Sequence, residues 1–318
     1  MADPAERPLL VLLGPTASGK SALALWLASR LGGEIVSADA MQVYRGLDIG
    51  TAKPCPAERT AVPHHLLDLY EPDQRCSAGE WARLASAAIA EIRGRGRWPL
   101  VVGGTGLYLR ALLQGLAPVP PRPPLVRERL ERQCARRGPE RLHRLLARLD
   151  PAGAARLAPT DRQRVLRALE VRFATGQPLA ALVARSPFAG DVVPALKLGL
   201  RLARPELYAR IDARVRMQIE RGWVEEVSGL LRRGLPDSAH AMKALGYRTL
   251  VRHLRGELGL AQACALIQRD TRRLAKRQIT WFKREAEVLW FDALDPMCYD
   301  RILQTIGGEP RSASRSDR

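Results

Sequence analysis

Apolar residues along this chain fall into two rhythms. Leu9 to Leu13 (LLVLL) is a continuous apolar run, the signature of a strand covered on both faces. Ala22 to Leu31 follows as a helix, and Glu34 to Ala38 (EIVSA) as a second short strand. Ser77 to Arg93 has helical period, with Trp81, Leu84, Ala88 and Ile92 on one face, and Ser77 with Glu80 forms a capping box. Trp98 to Val102 reads as a buried strand that runs into a glycine-rich turn. Further on, Leu196, Leu198, Leu200 and Leu202 alternate with Lys197, Gly199 and Arg201, which is a strand at period 2. Pro205 opens a helix carrying Leu207, Ile211, Val215 and Ile219, and Gly222 ends it. A helix over Val224 to Arg233 comes next. The long helix Gln262 to Arg284 then has Ile267, Leu274 and Trp281 as its expected buried stripe, and Val288 to Phe291 is a last strand. Strands alternating with helices predict an α/β fold with a parallel sheet.

The rhythm breaks at Ala117. Pro118 to Pro124 holds five prolines, a stiff linker. Residues 122 to 148 then carry nine arginines against three glutamates, with Leu125, Leu130, Leu142, Leu145, Leu146 and Leu149 on the apolar side. Asp161 starts another helix that closes at Gly176. Residues 120–187 are therefore read as an all-helical insertion with a basic face, and 1–119 with 188–300 as the α/β core. Residues 301–318 are read as a disordered tail, since Gly307 to Arg318 is short of apolar residues.

Between the first strand and its helix stands Gly14-Pro15-Thr16-Ala17-Ser18-Gly19-Lys20-Ser21, a G-x-x-x-x-G-K-S phosphate loop in its required context. Gly14 and Gly19 permit a tight loop whose N–H groups face an anion, and the helix behind it turns its positive end the same way. Lys20 reaches the terminal phosphate, and the Ser21 hydroxyl is placed to hold Mg²⁺. The sheet is thus expected to be of the P-loop NTPase kind, flanked by helices, although the loop alone does not make the anion ATP or any other nucleotide. Asp39, just past the second strand, emerges at the carboxyl end of the sheet, where ligands of such folds sit. The strand Trp98 to Val102 ends in Gly103-Gly104-Thr105 with no Walker-B aspartate, which argues against hydrolysis-coupled motor work.

Composition adds a partner. Over 318 residues the formal charge is +18, which favours a polyanion such as nucleic acid or an acidic membrane surface. Of 51 basic residues only Lys20, Lys53, Lys197, Lys243, Lys276 and Lys283 are lysine, so several of these are expected where a compact ammonium is needed. Five scattered cysteines without a C-x-x-C pair suggest a reducing compartment and no structural zinc. His64 and His65 are adjacent and, in a strand, point to opposite faces, making them poor joint metal ligands. No apolar run approaches the ~20 residues of a membrane span, and the N-terminus lacks a signal-peptide pattern, so a cytoplasmic protein is expected.

With these segments assembled, the chain resembles the tRNA dimethylallyltransferase (tRNA isopentenyltransferase) family over about residues 8–285. The resemblance is carried by Gly14–Ser21, Ser37–Arg45 (SADAMQVYR), Asp48–Pro54 (DIGTAKP), Pro63–His65, Val102–Thr105 and Asp161–Glu170. Leu245–Arg248 (LGYR) and Leu274–Gln278 (LAKRQ) complete it. It implies transfer of a dimethylallyl group from dimethylallyl diphosphate to N6 of the adenosine 3′ of the anticodon, in tRNAs reading codons that begin with U. Asp39 would be the general base, and Thr105 would hydrogen-bond the same amine. Gly14 to Ser21, with Arg214, would hold the diphosphate, with Mg²⁺ as cofactor on Ser21. Contacts to tRNA would run through Asp39, Ala40, Met41, Gln42, Thr105, Arg127, Gln163, Arg164, Val165, Leu166, Arg167, Lys243, Ala244, Leu245, Gly246, Tyr247 and Arg248. The target base would leave its stack to reach the site, and a monomer is expected. Ala40 and Thr249 depart from the family, which often has Ser and Gln there.

Three alternatives share parts of this pattern. A nucleotide or small-molecule kinase would use the same loop for ATP but leave the basic insertion without a purpose. A prenyltransferase acting on free adenine nucleotides would need no RNA-gripping helices. A non-enzymatic RNA-binding protein would leave the loop, Asp39 and Thr105 unexplained. Steep loss of RNA affinity with salt separates RNA binders from the rest.

Overall fold

A computed structural model describes residues 8–120, 122–185 and 193–307, which divide into two compact units, Met1–Leu113 with Val193–Arg318, and Gln114–Val192. In chain order the first unit begins with β1 (Leu9–Leu13), α1 (Lys20–Leu31), β2 (Gly33–Ser37), α2 (Pro56–Ala61), β3 (His64–His65), α3 (Ala78–Gly94), β4 (Trp98–Gly103) and α4 (Gly106–Gln114). The second unit follows as α5 (Pro124–Arg137), α6 (Pro139–Leu149), α7 (Pro151–Ala155), α8 (Arg162–Thr175) and α9 (Leu179–Arg185). The chain then returns through β5 (Ala195–Arg201), α10 (Arg204–Glu220), α11 (Trp223–Arg232), α12 (Tyr247–Leu254), α13 (Leu260–Phe282), β6 (Val288–Asp292) and α14 (Cys298–Ile306).

The six strands form one sheet in the order β3-β2-β4-β1-β5-β6, every pairing parallel. The all-apolar β1 lies between β4 and β5, buried along its length, as its composition requires. On one face Leu10, Leu12, Ile35, Leu100, Val102, Leu198 and Leu200 pack against Leu23 and Leu27 of α1 and against Cys298, Ile302 and Leu303 of α14. α3 packs against β2 and β4, and the indole N–H of its buried Trp81 donates to the Ser37 carbonyl at 3.1 Å. Ser77 caps α3 by accepting the Glu80 N–H.

Three expectations change. Residues 301–306 belong to α14 rather than to a tail, because Ile302 and Leu303 complete the apolar face over the sheet; residues 308–318 lie outside those described. The insertion is wider than 120–187, since α4 carries the chain out at Gln114 and the Val193 N–H donates to the Leu113 carbonyl where it comes back. The buried positions of α13 are Ala263, Ile267, Ala275 and Phe282, whereas Leu274 and Trp281 are only half-buried. The apolar stripe follows the 3.6-residue turn rather than a strict seven-residue repeat, and Leu274 and Trp281 fall on its edge.

Within the second unit α5, α6 and α8 close on Leu130, Cys134, Leu142, Leu146, Val165, Leu166 and Leu169. Arg127 is buried there in an ion pair with the fully buried Glu170. Arg137, Arg141, Arg144 and Arg148 line a groove with Gln133 and Leu145, and no carboxylate among the described residues pairs with these four.

Leu27 is 1% exposed at the centre of the α1 contact. Leu27→Ala should lower the unfolding free energy by about 2–5 kcal/mol in urea titrations, as truncations in close-packed cores do.

Candidate active site

The loop between β1 and α1 is held in conformations that few residues adopt. Gly14 has φ 144°, and a Cβ on it would sit 2.7 Å from the Leu200 carbonyl oxygen of β5. Ala17 is left-handed at φ 63°, and Gly19, at φ 94°, is the N-cap of α1. Successive turns of this kind gather backbone N–H groups at the head of α1, where the helix dipole adds positive potential. The Lys20 ammonium folds back to the Pro15 carbonyl at 2.6 Å and to the Ser18 hydroxyl at 3.4 Å. Burial first, and then the nearby Arg214 guanidinium, bring its pKa down to about 7, with Asp39 pulling the other way. Burial likewise lowers Arg214, which donates to the Thr16 hydroxyl at 3.2 Å. Two cations facing one another in protein surroundings form a site that an anion would stabilise.

Lys20, Arg214, Ser21 and Asp39 all line one cavity of about 1420 Å³. Asp39 follows β2, and its Oδ1 accepts the N–H groups of Met41 at 2.8 Å and Gln42 at 3.4 Å. These bonds turn the chain sharply and fix the carboxylate at the carboxyl end of the sheet. Thr105 follows β4. Its N–H donates to the Ala38 carbonyl, and its hydroxyl accepts the Ala40 N–H at 3.1 Å. Close approach of the two strand ends is possible because a Cβ at Gly103 would lie 2.2 Å from the Ala38 oxygen. A carboxylate, a hydroxyl and a cation-lined anion cradle thus converge at the carboxyl end of one sheet.

A family model described as IPP transferase matches residues 42–285, and one described as isopentenyl transferase matches residues 8–68. The tRNA dimethylallyltransferase of Geobacter metallireducens is 49% identical over 308 residues, covering 97% of this chain and 99% of that protein. The chain belongs to the tRNA dimethylallyltransferase family. The tRNA dimethylallyltransferase of Thermomicrobium roseum is 47% identical over 311 residues, covering 97% of this chain and 93% of that one. Among solved structures, a full-length tRNA isopentenylpyrophosphate transferase from Bacillus halodurans aligns at TM-score 0.68 and 37% identity, over 95% of both chains. A eukaryotic dimethylallyltransferase described as acting on tRNA aligns at TM-score 0.78 and 25% identity, over 98% of this chain and 82% of that one. Members of this family are prenyl transferases, and the parallel sheet of the fold is common to them.

Within the first unit Gly14 to Ser21, Asp39 to Gln42, Thr105 and Arg214 come together at one end of the sheet. Arg214 reaches the loop from α10, some 198 positions away in sequence. The Ala40 side chain lacks a hydroxyl, yet its backbone N–H is the group that ties it to Thr105. Several side chains expected to face RNA are spent on the fold instead. Ala244, Gly246 and Tyr247 are buried, with Tyr247 donating its hydroxyl to Glu226, so Lys243 and Arg248 are the exposed cations of that segment and Leu245 is half-buried. In the second unit Arg127 binds Glu170, Glu131 and Gln163, and Val165 and Leu166 are core. Gln163 and Arg164 are exposed there and Arg167 partly so. An arginine in an arginine-rich helix reads as surface from sequence, because its buried carboxylate partner is 43 positions away.

Sequence reasoning passed over two supports. Glu226 of α11 accepts the N–H groups of Asp48, Ile49 and Gly50 at 2.7–3.3 Å. Gln218 of α10 donates to the carbonyls of Ile49 and Gly50. Lys53, flagged by the scarcity of lysine, is buried with its ammonium on Tyr44 O, Asp48 Oδ1 and Asp68 Oδ1 at 2.5–2.8 Å. Three oxygens around one small cation suit an ammonium and not a planar guanidinium. Lys276 and Lys283 are exposed, so scarcity marks some lysines and not all. His64 and His65 do not share a ligand: one faces the Val62 carbonyl and the other the Glu34 carboxylate. No group of three His, Cys, Asp or Glu among the described residues could hold a metal, and no described helix is long and apolar enough to cross a membrane.

Lys20 gives a pH test. Its pKa lies near 7 in the fold against 10.5 for the ordinary group, so across that window the unfolded chain binds more protons than the folded one. Stability should therefore rise with pH through the window. Lys20→Met should be the more stable protein near pH 7, with the difference narrowing toward about pH 10 in urea titrations. Parallel pH profiles would show that the ammonium is not held in low-dielectric surroundings.

Proposed function

We propose that this chain transfers the dimethylallyl group of dimethylallyl diphosphate to N6 of the adenosine 3′ of the anticodon, in tRNAs reading codons that begin with U. The observation that carries this reading is the meeting of Asp39 with Lys20 and Arg214 in one cavity, beside a loop shaped for a polyphosphate. The Thr16 to Ser21 stretch would cradle the diphosphate. Lys20 and Arg214 would take up the negative charge that grows on the leaving group as the allylic C–O bond breaks. The N6 nitrogen then forms the new C–N bond, and its proton passes to Asp39 and on to solvent. An exocyclic amine is a weak nucleophile, so a carboxylate within hydrogen-bond reach is the useful helper. Thr105, one hydrogen bond from Ala40, would orient the amine.

Mg²⁺ fits the donor set in one way. Ser21 is the loop hydroxyl at the cavity wall and would hold the ion there; no group of three His, Cys, Asp or Glu among the described residues could hold it instead. When bound it supplies further charge neutralisation on the leaving group. The free-standing arginines of the second unit, together with the +18 charge, suit the phosphate backbone of an RNA stem, and the protein is proposed to act in the cytoplasm as a monomer.

Incubation with Mg²⁺, labelled dimethylallyl diphosphate and unmodified tRNA should label tRNA that carries the adenosine and leave AMP and a tRNA lacking it unlabelled. Label in AMP would move the substrate to a free nucleotide, and ATP consumption without label would point to a kinase. Asp39→Ala should reduce turnover by about 10²–10⁴-fold with tRNA affinity retained, as removal of a general base does. Undiminished turnover would take Asp39 out of the mechanism.

A further inference from the structure

One side chain from the far end of the first unit joins the two halves of this site. Gln278, in the last turns of α13, accepts the Thr16 N–H through Oε1 at 2.8 Å and donates through Nε2 to the Gly104 carbonyl at 3.0 Å. Both ends of the amide are used, one as acceptor and one as donor, so its orientation is fixed. The fit is close. A Cβ at Gly104 would lie 2.3 Å from Gln278 Nε2, and one at Gly106 would lie 2.1 Å from Trp281 Nε1. The glycines on either side of Thr105 are thus what let α13 seat directly on the turn that presents that threonine.

From this amide a continuous set of bonds runs in both directions. Toward the anion cradle it passes through Thr16, whose hydroxyl takes the Arg214 guanidinium. Toward the amine side it passes through Gly104 to Thr105, whose hydroxyl holds the Ala40 N–H next to Asp39. The Thr16 N–H points at a side chain, unlike a loop amide turned toward an anion. Its partner therefore acts on the placement of the loop.

We propose that Gln278 is a positioning residue that sets the distance between the diphosphate cradle and the Asp39–Thr105 pair, and so commits the allylic carbon to the amine rather than to water. This rests on the reading of Asp39, Thr105 and the phosphate loop given above. An allylic centre that loses its diphosphate out of register with the amine is taken by water: the water oxygen bonds the carbon, the C–O bond to diphosphate breaks, and a proton leaves to solvent. The products are dimethylallyl alcohol and diphosphate. Misplacement by about 1 Å is enough to divide the two fates, since reacting atoms need to start within about 3–3.5 Å of each other.

The test compares wild type with Gln278→Ala, which removes both bonds, and Gln278→Glu, which keeps an acceptor for the Thr16 N–H but sets an oxygen against the Gly104 carbonyl. Steady-state transfer, diphosphate release and thermal unfolding are followed for each with dimethylallyl diphosphate and tRNA. Both variants should lose about ten- to a hundredfold in kcat for transfer, with KM for either substrate changed by less than about threefold. They should also release several diphosphates for each group transferred, the difference appearing as dimethylallyl alcohol. One diphosphate released per group transferred in both variants would overturn the proposal. So would losses that merely follow the unfolded fraction at the assay temperature. A wild-type protein that transfers nothing would instead sink the underlying reading, so the two failures are distinct.

Discussion

Like charges held together in protein surroundings are the condition that the rest of this fold has to meet. Lys20 and Arg214 face the same cavity, each lowered in basicity by burial, and Lys20 further by its neighbour. Left to relax, such a pair would splay apart. What prevents this is geometry taken from several elements at once: Gly14 against the Leu200 carbonyl of β5, Lys20 folded onto Pro15, and Arg214 tied to Thr16. Burial disfavours the charged form of both groups and Asp39 offsets part of that; a polyphosphate would offset more, and a preorganised cradle does not need to rearrange as negative charge develops.

Around that cradle the supports are polar groups satisfied at long range. Glu226 gathers three consecutive N–H groups of the 48–50 loop together with the Tyr247 hydroxyl, and Lys53 gathers three oxygens. Hydrogen bonds to Lys53 and Arg59 hold the Asp68 carboxyl below its ordinary range although its burial works to raise it. Each cluster adds polar ties to a connection after β2 that is also anchored by the buried Val43, Tyr44 and Leu47.

Local patterns were legible in the sequence. β1, the phosphate loop, the Asp161 start and the Gly176 stop are determined by residues close to one another in sequence, and the structure places them as read; at Ser77 the N-cap forms, but only its half of the expected capping box, the Glu80 N–H donating to the Ser77 hydroxyl. Asp39 could be named because it sits just past a strand at the carboxyl end of a parallel sheet, whereas Thr105 is named by the family resemblance alone. Burial of charged groups was not legible. Arg127 reads as one more basic residue of a basic helix until Glu170 is found opposite it, and Tyr247 stands among the expected RNA contacts until Glu226 and Trp223 enclose it. The α13 stripe differs from the expected one because a seven-residue repeat drifts off the 3.6-residue turn, and the seating of Gln278 and Trp281 on the turn at residues 104–106 is a long-range contact that no count within the helix shows.

The order of strands also says something about how the protein comes into being. β1 emerges first during synthesis, yet it occupies the middle of the sheet and receives one of its two neighbours only when β5, at residues 195–201, has been made. The loop that follows β1 is bonded to α13, near the end of the described chain. A nascent chain therefore carries its most apolar strand with one edge unsatisfied while the whole of the second unit is translated. Contacts of such long sequence separation form slowly, and unpaired strand edges invite association. The chain therefore makes β1 well before the strand that closes its second edge, so any chain cut short before β5 leaves that edge open and also lacks Arg214 of the site.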